Sequence, residues 1–207
     1  MRDDQNMSVQ EAASVVQDAR TLARKELLIN APLVYLAWGL VWLIGYGAMW
    51  LSVRGQHPYT GPSGISIATV LVLAGFAIAA VLVIASRAVS GIDGQSVRHR
   101  RILIVSWAIG FLILLIVQAG ISSSVSARTV AFVAFAGPVL LAGLMYLLAA
   151  RLGSSWLVLV FGSWLIVVGV SCAWLAPAAL LAICSLAGGG AFLLLAVIET
   201  RLRAHER

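Results

Sequence analysis

Six long apolar runs, separated by short polar segments, dominate the pattern of the chain. Each run has about 20 residues, the length that an α-helix needs to cross a hydrocarbon core of about 30 Å. No run contains Asp, Glu, Lys or Arg, and none shows the strict apolar–polar alternation of a membrane β-strand. The pattern therefore predicts an all-α, polytopic membrane helix bundle with six transmembrane helices, at residues 32–53, 65–86, 102–121, 129–150, 155–174 and 177–198.

The polar segments divide the chain into a cytoplasmic arm (1–29), the transmembrane bundle (30–200) and a cytoplasmic tail (201–207). In the arm, Ser8 and Glu11 have the spacing of a capping box, and apolar residues follow at helical intervals. This predicts a short amphipathic helix that lies on the membrane or docks on a partner. The connections between the runs are too short for a soluble domain, and they favour consecutive helices packing as antiparallel neighbours.

Composition supports the membrane assignment. Hydrophobic residues make up 61% of the chain and charged residues 11%, with a mean hydropathy of +1.01. A water-soluble fold could not cover so much apolar surface with so few charges. The net charge of +6 would suggest nucleic acid as a partner in a soluble protein. Here the charges flank the apolar runs and face the lipid headgroups, so no nucleic-acid partner is expected.

The distribution of basic residues predicts the orientation. Twelve of the 14 Lys and Arg residues lie in the arm, the second and fourth loops and the tail. The other loops contain only Arg54 and Arg128. Because positively charged loops stay in the cytoplasm, we expect a multi-pass protein of the cell membrane with both termini cytoplasmic.

The first apolar run carries an aromatic stripe of residues spaced three or four apart, which a helix places on one face: Tyr35, Trp38, Trp42, Tyr46 and Trp50. Tyr35 and Trp50 fit the aromatic belts of a membrane, but Trp42 falls near the middle of the run. One interpretation is a cavity for an aromatic, lipid-like or cationic ligand. The other is helix packing with interfacial anchors.

Backbone irregularity is expected at mid-depth in two helices. Gly137-Pro138 lies in the middle of the fourth run, where proline removes a backbone hydrogen bond. Gly188, Gly189 and Gly190 lie in the sixth run, where the missing side chains permit close approach or local unwinding. Interrupted helices near the midplane point to a transporter site. Close helix packing through small residues is the alternative.

Two further features concern lipid, partners and redox chemistry. The second loop carries a basic cluster, which predicts binding of anionic lipid or recognition by a cytoplasmic protein: Arg98, His99, Arg100 and Arg101. Cys172 and Cys184 are interpreted as apolar packing residues at different depths, too far apart for a disulfide. Ser185, like other neutral polar residues in the runs, is expected to bond a backbone carbonyl or a neighbouring helix.

Catalytic and metal-binding signatures are absent from the sequence. No His-Glu-x-x-His pattern, Gly-x-Ser-x-Gly elbow or phosphate-binding glycine loop occurs, and all acidic residues lie outside the cores of the runs. We therefore expect no enzyme, metal site or cofactor. Two function classes stay open: a transport protein that binds a small apolar or aromatic molecule or serves as a transporter's membrane subunit, and a scaffold or regulatory partner. Either class allows a protein partner or a homo-oligomer.

Overall fold

A computed structural model describes residues 14, 31–89, 95–121, 125–153 and 155–205, with side-chain burial described outside 85–101. This part of the chain is helical and contains no strand. Six helices are long and apolar enough to cross a membrane, which confirms the predicted helix count. They are α1 (Ala31–Val53), α2 (Gly64–Val89), α3 (Gln95–Ile121), α4 (Ala127–Gly153), α5 (Trp156–Ser171, extended by a 3₁₀ turn at Cys172–Trp174) and α6 (Pro177–His205).

The predicted apolar runs match these helices closely at most ends. The largest differences are in α3, which begins at Gln95 although its apolar run begins at residue 102, and in α6, which continues to His205 although its run ends at residue 198. Glu199 and Arg203 explain the extension of α6, because they form an ion pair one helical turn apart. The arm lies outside the described residues except for Ser14, so the capping box at Ser8 and Glu11 stays a prediction.

The helices form two groups of three. α1 packs on α2 along one side and on α6 along another, whereas α4 packs on α5 and α3. The expectation that every consecutive pair packs together is wrong for α2 and α3, which pack on α1 and α4 rather than on each other. Glycines explain this choice of neighbour. A Cβ atom on Gly45 would lie 2.9 Å from the Val70 side chain, and one on Gly137 would lie 2.7 Å from Leu114.

The closest helix pair is α4 and α5, where two glycines bring the backbones into contact. A Cβ atom on Gly162 would lie 2.9 Å from the Leu147 amide nitrogen and 3.0 Å from the Gly143 carbonyl oxygen. Small residues at an interface allow this approach, and the gain in van der Waals contact is a main source of helix association in lipid. α4 and α5 are therefore held in direct backbone contact.

The core lies between α1, α4, α5 and α6, where fully buried side chains such as Val139, Leu165, Leu181 and Phe192 meet. α2 and α3 contribute little to it. Their outward faces carry large apolar side chains with high exposure, for example Phe76 at 72% and Leu115 at 60%. Such faces are expected of helices whose surroundings are lipid or another apolar helix rather than water.

Candidate functional site

The aromatic stripe of α1 faces the interior of the bundle. Trp42 and Tyr46 are buried, whereas Tyr35, Trp38 and Trp50 are half-buried and pack against the core. The three-and-four spacing of these residues produces this single inward face. At the end of the stripe, the Arg54 guanidinium lies 5.6 Å from the Trp50 ring centroid. This cation–π contact fits the predicted role of Trp50 as an interfacial anchor.

One hydrogen bond joins the stripe to α4. The Tyr46 hydroxyl donates to the backbone carbonyl of Phe135, with an oxygen–oxygen distance of 2.9 Å. Phe135 lies three residues before Pro138, which α4 carries in its interior. Because proline has no N–H, helices that contain it rely on neighbouring groups to satisfy nearby carbonyls. Pro138 removes the donor of the Ala134 carbonyl, and Tyr46 binds the neighbouring carbonyl of Phe135, so the stripe and the proline segment meet within one residue of each other.

The other side of the stripe meets an irregular segment of α6. Residues Cys184–Gly189 form a π-helical turn, a widened turn that is frequent at functional sites. A Cβ atom on Gly188 would lie 2.8 Å from the Trp42 ring, and one on Gly189 would lie 2.6 Å from the Leu43 amide nitrogen. The first two glycines of the triplet thus permit backbone-level contact between α1 and α6, as their small size predicts.

Two further hydrogen bonds hold the π-helical turn. The Ser185 hydroxyl donates to the Leu43 carbonyl at 2.8 Å, which confirms the expected bond to a neighbouring helix. The Trp164 indole N–H of α5 donates to the Ala187 carbonyl at 3.0 Å. The widened turn displaces carbonyls from the regular α-helical ladder, and the Trp164 indole of α5 donates to one of them, whereas α1 supplies the acceptor for Ser185. We call the meeting place of Tyr46, Phe135 and this turn the junction.

From the junction, rings continue toward the end of the bundle predicted to be cytoplasmic. Trp42 lies 5.1 Å from Phe192, Phe192 4.8 Å from Phe161, and Phe161 4.9 Å from Tyr146 (centroid distances). All three contacts are edge-to-face, the arrangement that the quadrupoles of the rings favour. Tyr35 and Trp107 then contact Tyr146 at 6.2 and 6.3 Å. Aromatic side chains therefore connect the two helix groups.

The two cysteines meet at the junction, so the expectation that they lie at different depths is wrong. Their sulfur atoms are 3.8 Å apart, both side chains are buried, and both are free thiols. The Cys184 sulfur is also 3.9 Å from the Phe135 carbonyl oxygen. The 3₁₀ turn and the very short α5–α6 connection explain the proximity, because α6 turns back directly beside the end of α5. The interpretation as small packing residues agrees with their burial.

An open cavity of ≈ 370 Å³ leads toward the junction from the end of the bundle predicted to be outside. We call it the outer cavity. The loop between α1 and α2 forms one wall, and the beginning of α4 forms the other, down to Ala134 and Phe135. Its lining residues are Tyr59, Thr60, Gly61, Pro62, Val125, Ala127, Val130, Ala131, Ala134 and Phe135.

The most unusual group in the outer cavity is the Tyr59 hydroxyl. Its oxygen is buried and has no hydrogen-bond partner in the described part of the chain. Burial also raises the pKa of the Tyr59 phenol above its ordinary value, because the anion would lose solvation. A buried hydroxyl without a partner is energetically unfavourable, and a ligand would reach this oxygen only after a movement of the side chains around it.

The structure thus brings together four of the nine candidate ligand-binding residues selected from the sequence. Trp42, Tyr46, Gly188 and Gly189 lie at the junction, whereas Gly137 packs on α3 and Gly190 faces a groove outside it. Sequence reasoning missed Phe135, Phe161, Phe192 and the pairing of the two cysteines. The only signal for Phe135 was its distance of three residues from Pro138. Whether the selected residues bind a ligand stays a prediction.

The basic cluster is described only in its backbone. Arg98, His99, Arg100 and Arg101 belong to the first turns of α3, which begins at Gln95. Binding of anionic lipid or of a protein partner there stays a prediction. In the described ranges, no group of three or more His, Cys, Asp or Glu side chains is arranged to hold a metal ion.

Comparison with known proteins adds no family. No protein-family model, curated protein or solved structure matches the chain. The function must therefore be argued from the junction, the outer cavity and the exposed helix faces.

Proposed function

We propose that the protein is an integral membrane protein of the transport class, in which a small apolar or aromatic molecule enters the outer cavity and reaches the junction. One observation carries this proposal. The outer cavity extends to Phe135, and the carbonyl of that same residue is bound by Tyr46 of the aromatic stripe. Phe135 is therefore the residue that the cavity and the stripe have in common.

The outer cavity has the dimensions and chemistry of a small-ligand site. Its volume of ≈ 370 Å³ falls within the range of about 300–1,000 Å³ that is usual for ligand pockets. Its α4 wall is apolar, with Val130, Ala131 and Ala134. The Tyr59 hydroxyl supplies one polar group without a partner among the described residues. This combination favours an apolar molecule with a single polar substituent.

The irregular turn of α6 supports movement at the junction, whereas α4 is helical throughout although it carries a proline. Transporter sites commonly combine discontinuous helices at mid-depth with two groups of helices that change their relative position. Here α4 carries Pro138, α6 carries the π-helical turn, and the two three-helix groups meet largely through side chains. We propose that breaking the Tyr46–Phe135 hydrogen bond opens a path from the outer cavity into the aromatic interior. An energy source would come from a partner protein, because the sequence has no nucleotide-binding motif.

The test begins with native mass spectrometry of the protein extracted from its own membrane in a mild detergent. A retained small molecule should disappear in Ala134→Phe, which fills the outer cavity. The matched control is Ala79→Phe, which adds the same ring on the exposed face of α2. Saturable binding of two probes, indole and tetraphenylphosphonium, is measured in parallel on reconstituted protein. Absence of a retained molecule and of saturable binding for both probes in folded protein would contradict the proposal.

A second candidate function is a membrane scaffold or regulatory partner, and the exposure of α2 and α3 favours it. Each of these helices packs on one neighbour and leaves large apolar side chains uncovered, including Leu71 at 67% and Phe76 at 72% exposure. A partner helix or a second copy of the chain would cover them. A stoichiometric protein in the same mass spectrum, lost after deletion of residues 1–25 or in Leu71→Ala with Phe76→Ala, would support this candidate. Retained association in all variants would contradict it.

A further inference from the structure

An apolar groove runs along the outside of the bundle between α5 and α6. Its volume is ≈ 440 Å³, and the residues that line it include Leu157, Phe161, Trp164, Leu186, Gly190 and Ile198. It is distinct from the outer cavity, since the two share no lining residue. The groove opens toward the surroundings of the helices, so an occupant can enter sideways from the membrane.

The π-helical turn and Gly190 create this groove. Trp164 forms the end of the groove that lies next to the π-helical turn. Its indole N–H is held there by the hydrogen bond to the Ala187 carbonyl of that turn. Gly190 forms part of its floor, and a Cβ atom added there would meet no heavy atom within 4 Å. The groove is therefore deep at Gly190 because this residue has no side chain, although there is space for one. Helix packing alone does not require glycine at this position.

The length of the groove corresponds to one leaflet of a bilayer. Leu186 and Ile198 mark its ends along α6 and are separated by about 18 Å at 1.5 Å per residue. Half of a hydrocarbon core is about 15 Å. On α5, the lining runs only from Trp164 to Leu157, about 10 Å at 1.5 Å per residue, so α6 alone borders the part of the groove near Ile198. An extended acyl chain would thus fit from the headgroup level to the bilayer midplane.

Positive charge lies at the shallow end of the groove. Arg201 follows Ile198 by three residues, so helical spacing places it on the groove side of α6. Its side chain is exposed, and it forms no ion pair within the described part of the chain. By contrast, Arg203 is paired with Glu199 on another face. Arg201 is therefore the group available to a negatively charged headgroup.

We propose that this groove binds one acyl chain of an anionic phospholipid from the leaflet on the Arg201 side, with the lipid phosphate on the Arg201 guanidinium. That leaflet is the cytoplasmic one if the predicted orientation holds, and this leaflet carries the anionic lipids of a cell membrane. The lipid would stabilise α5 against α6 beside the π-helical turn. The inference does not depend on transport, because it concerns a different surface.

The experiment uses the full-length protein in detergent, incubated with phosphatidylglycerol or with phosphatidylcholine of the same acyl chains, and native mass spectrometry to count bound lipid. We expect one phosphatidylglycerol to be retained by the wild type and lost in Gly190→Leu, which fills the groove. Gly75→Leu is the matched control, since Gly75 also has open space around its Cα but lies on the exposed face of α2. Val160→Trp, at another lining position, repeats the test if Gly190→Leu fails to fold.

Charge recognition is tested separately with Arg201→Gln. This variant should keep an acyl chain in the groove but lose the preference for phosphatidylglycerol over phosphatidylcholine, expected to be about fivefold for one basic residue near the membrane surface. Equal lipid retention by Gly190→Leu, Val160→Trp and Gly75→Leu would overturn the proposal. So would a change from dimer to monomer in Gly190→Leu without loss of lipid, because the occupant would then be a second copy of the chain.

Discussion

The Tyr46 hydroxyl on α1 donates a hydrogen bond to the Phe135 carbonyl on α4, 2.9 Å away and 89 positions later in the chain. The bond links the two helix groups of the bundle at the point where α4 carries its proline. α1 and α4 also meet through the rings of Tyr35 and Tyr146, with centroids 6.2 Å apart. Together with the Trp164–Ala187 bond between α5 and α6, this hydrogen bond joins the two groups.

Tyr46→Phe should destabilise the bundle, because the ring stays in place while the Phe135 carbonyl loses its donor. Hydrogen bonds between helices in membranes contribute about 0.6 kcal/mol on average and at most about 1.7 kcal/mol. We expect a loss in that range, measured as the free energy of unfolding in mixed detergent micelles. Tyr35→Phe is the control, because its hydroxyl makes no hydrogen bond within the described ranges. Equal stability of the two variants would show that the Tyr46 bond contributes nothing.

The glycine triplet of α6 provides a comparison within one turn. Gly189→Ala should destabilise the protein by about 3 kcal/mol, the upper end of the usual cost of overpacking. The reason is that the new Cβ atom would lie 2.6 Å from the amide nitrogen of Leu43, and a backbone atom cannot easily move away. Gly190→Ala should be neutral, since its Cβ meets nothing within 4 Å. Thermal unfolding of both purified variants checks this difference. A well-folded Gly189→Ala with wild-type stability would contradict the close approach of α1 and α6.

Trp164→Phe should weaken the π-helical turn. The substitution keeps an aromatic ring beside the groove but removes the N–H that the Ala187 carbonyl accepts at 3.0 Å. We expect a loss of about 1 kcal/mol, together with faster hydrogen exchange of the amides in residues 184–190. Trp156→Phe is the matched control, because Trp156 is 72% exposed. If amide exchange in this segment is unchanged in Trp164→Phe, the indole does not hold the turn.

Tyr59→Phe should be neutral or stabilising by up to about 1 kcal/mol, since it removes a buried hydroxyl that has no partner in the described residues. The variant should also change the pH dependence. The raised pKa of Tyr59 means that the folded state favours the neutral phenol, so its contribution is complete below about pH 10 and is lost as pH rises further. The unfolding midpoint should therefore fall less in Tyr59→Phe than in the wild type between about pH 8 and about pH 11. An identical fall would exclude this role of Tyr59.

The predicted orientation is tested with a reporter that is active only in the cytoplasm. It should work when fused at the C-terminus or after residue 92 and fail after residue 58, because the basic loops are expected to stay inside. Measurement of reporter activity in intact cells decides between the two orientations. The reverse pattern would place Arg201 and the groove in the opposite leaflet.

The helices could be predicted from the sequence because membrane spans follow from the length and polarity of single segments. The pairing of helices could not. Nothing in the sequence indicates that Gly45 selects Val70 as its neighbour or that Gly162 contacts Leu147. Cys172 and Cys184 show the same difficulty: their depth depends on a 3₁₀ turn and a short connection rather than on apolar pattern. The stripe was visible because five large rings share one spacing, whereas its partner Phe192 is the single aromatic residue of α6, and Phe161 forms no comparable stripe with Trp156 and Trp164 of α5.

The contact between α1 and α6 also constrains how the chain assembles. α6 covers Trp42 and Leu43 of α1, yet about 120 residues separate the end of α1 from the beginning of α6. At about 5–20 residues per second, the ribosome needs about 6–24 s to synthesise them. During that interval the aromatic face of α1 has only α2 and the early helices beside it. A ribosome that stalls before Pro177 would leave a membrane-inserted fragment whose interior is exposed, and such a fragment is the form that quality-control proteases would meet first.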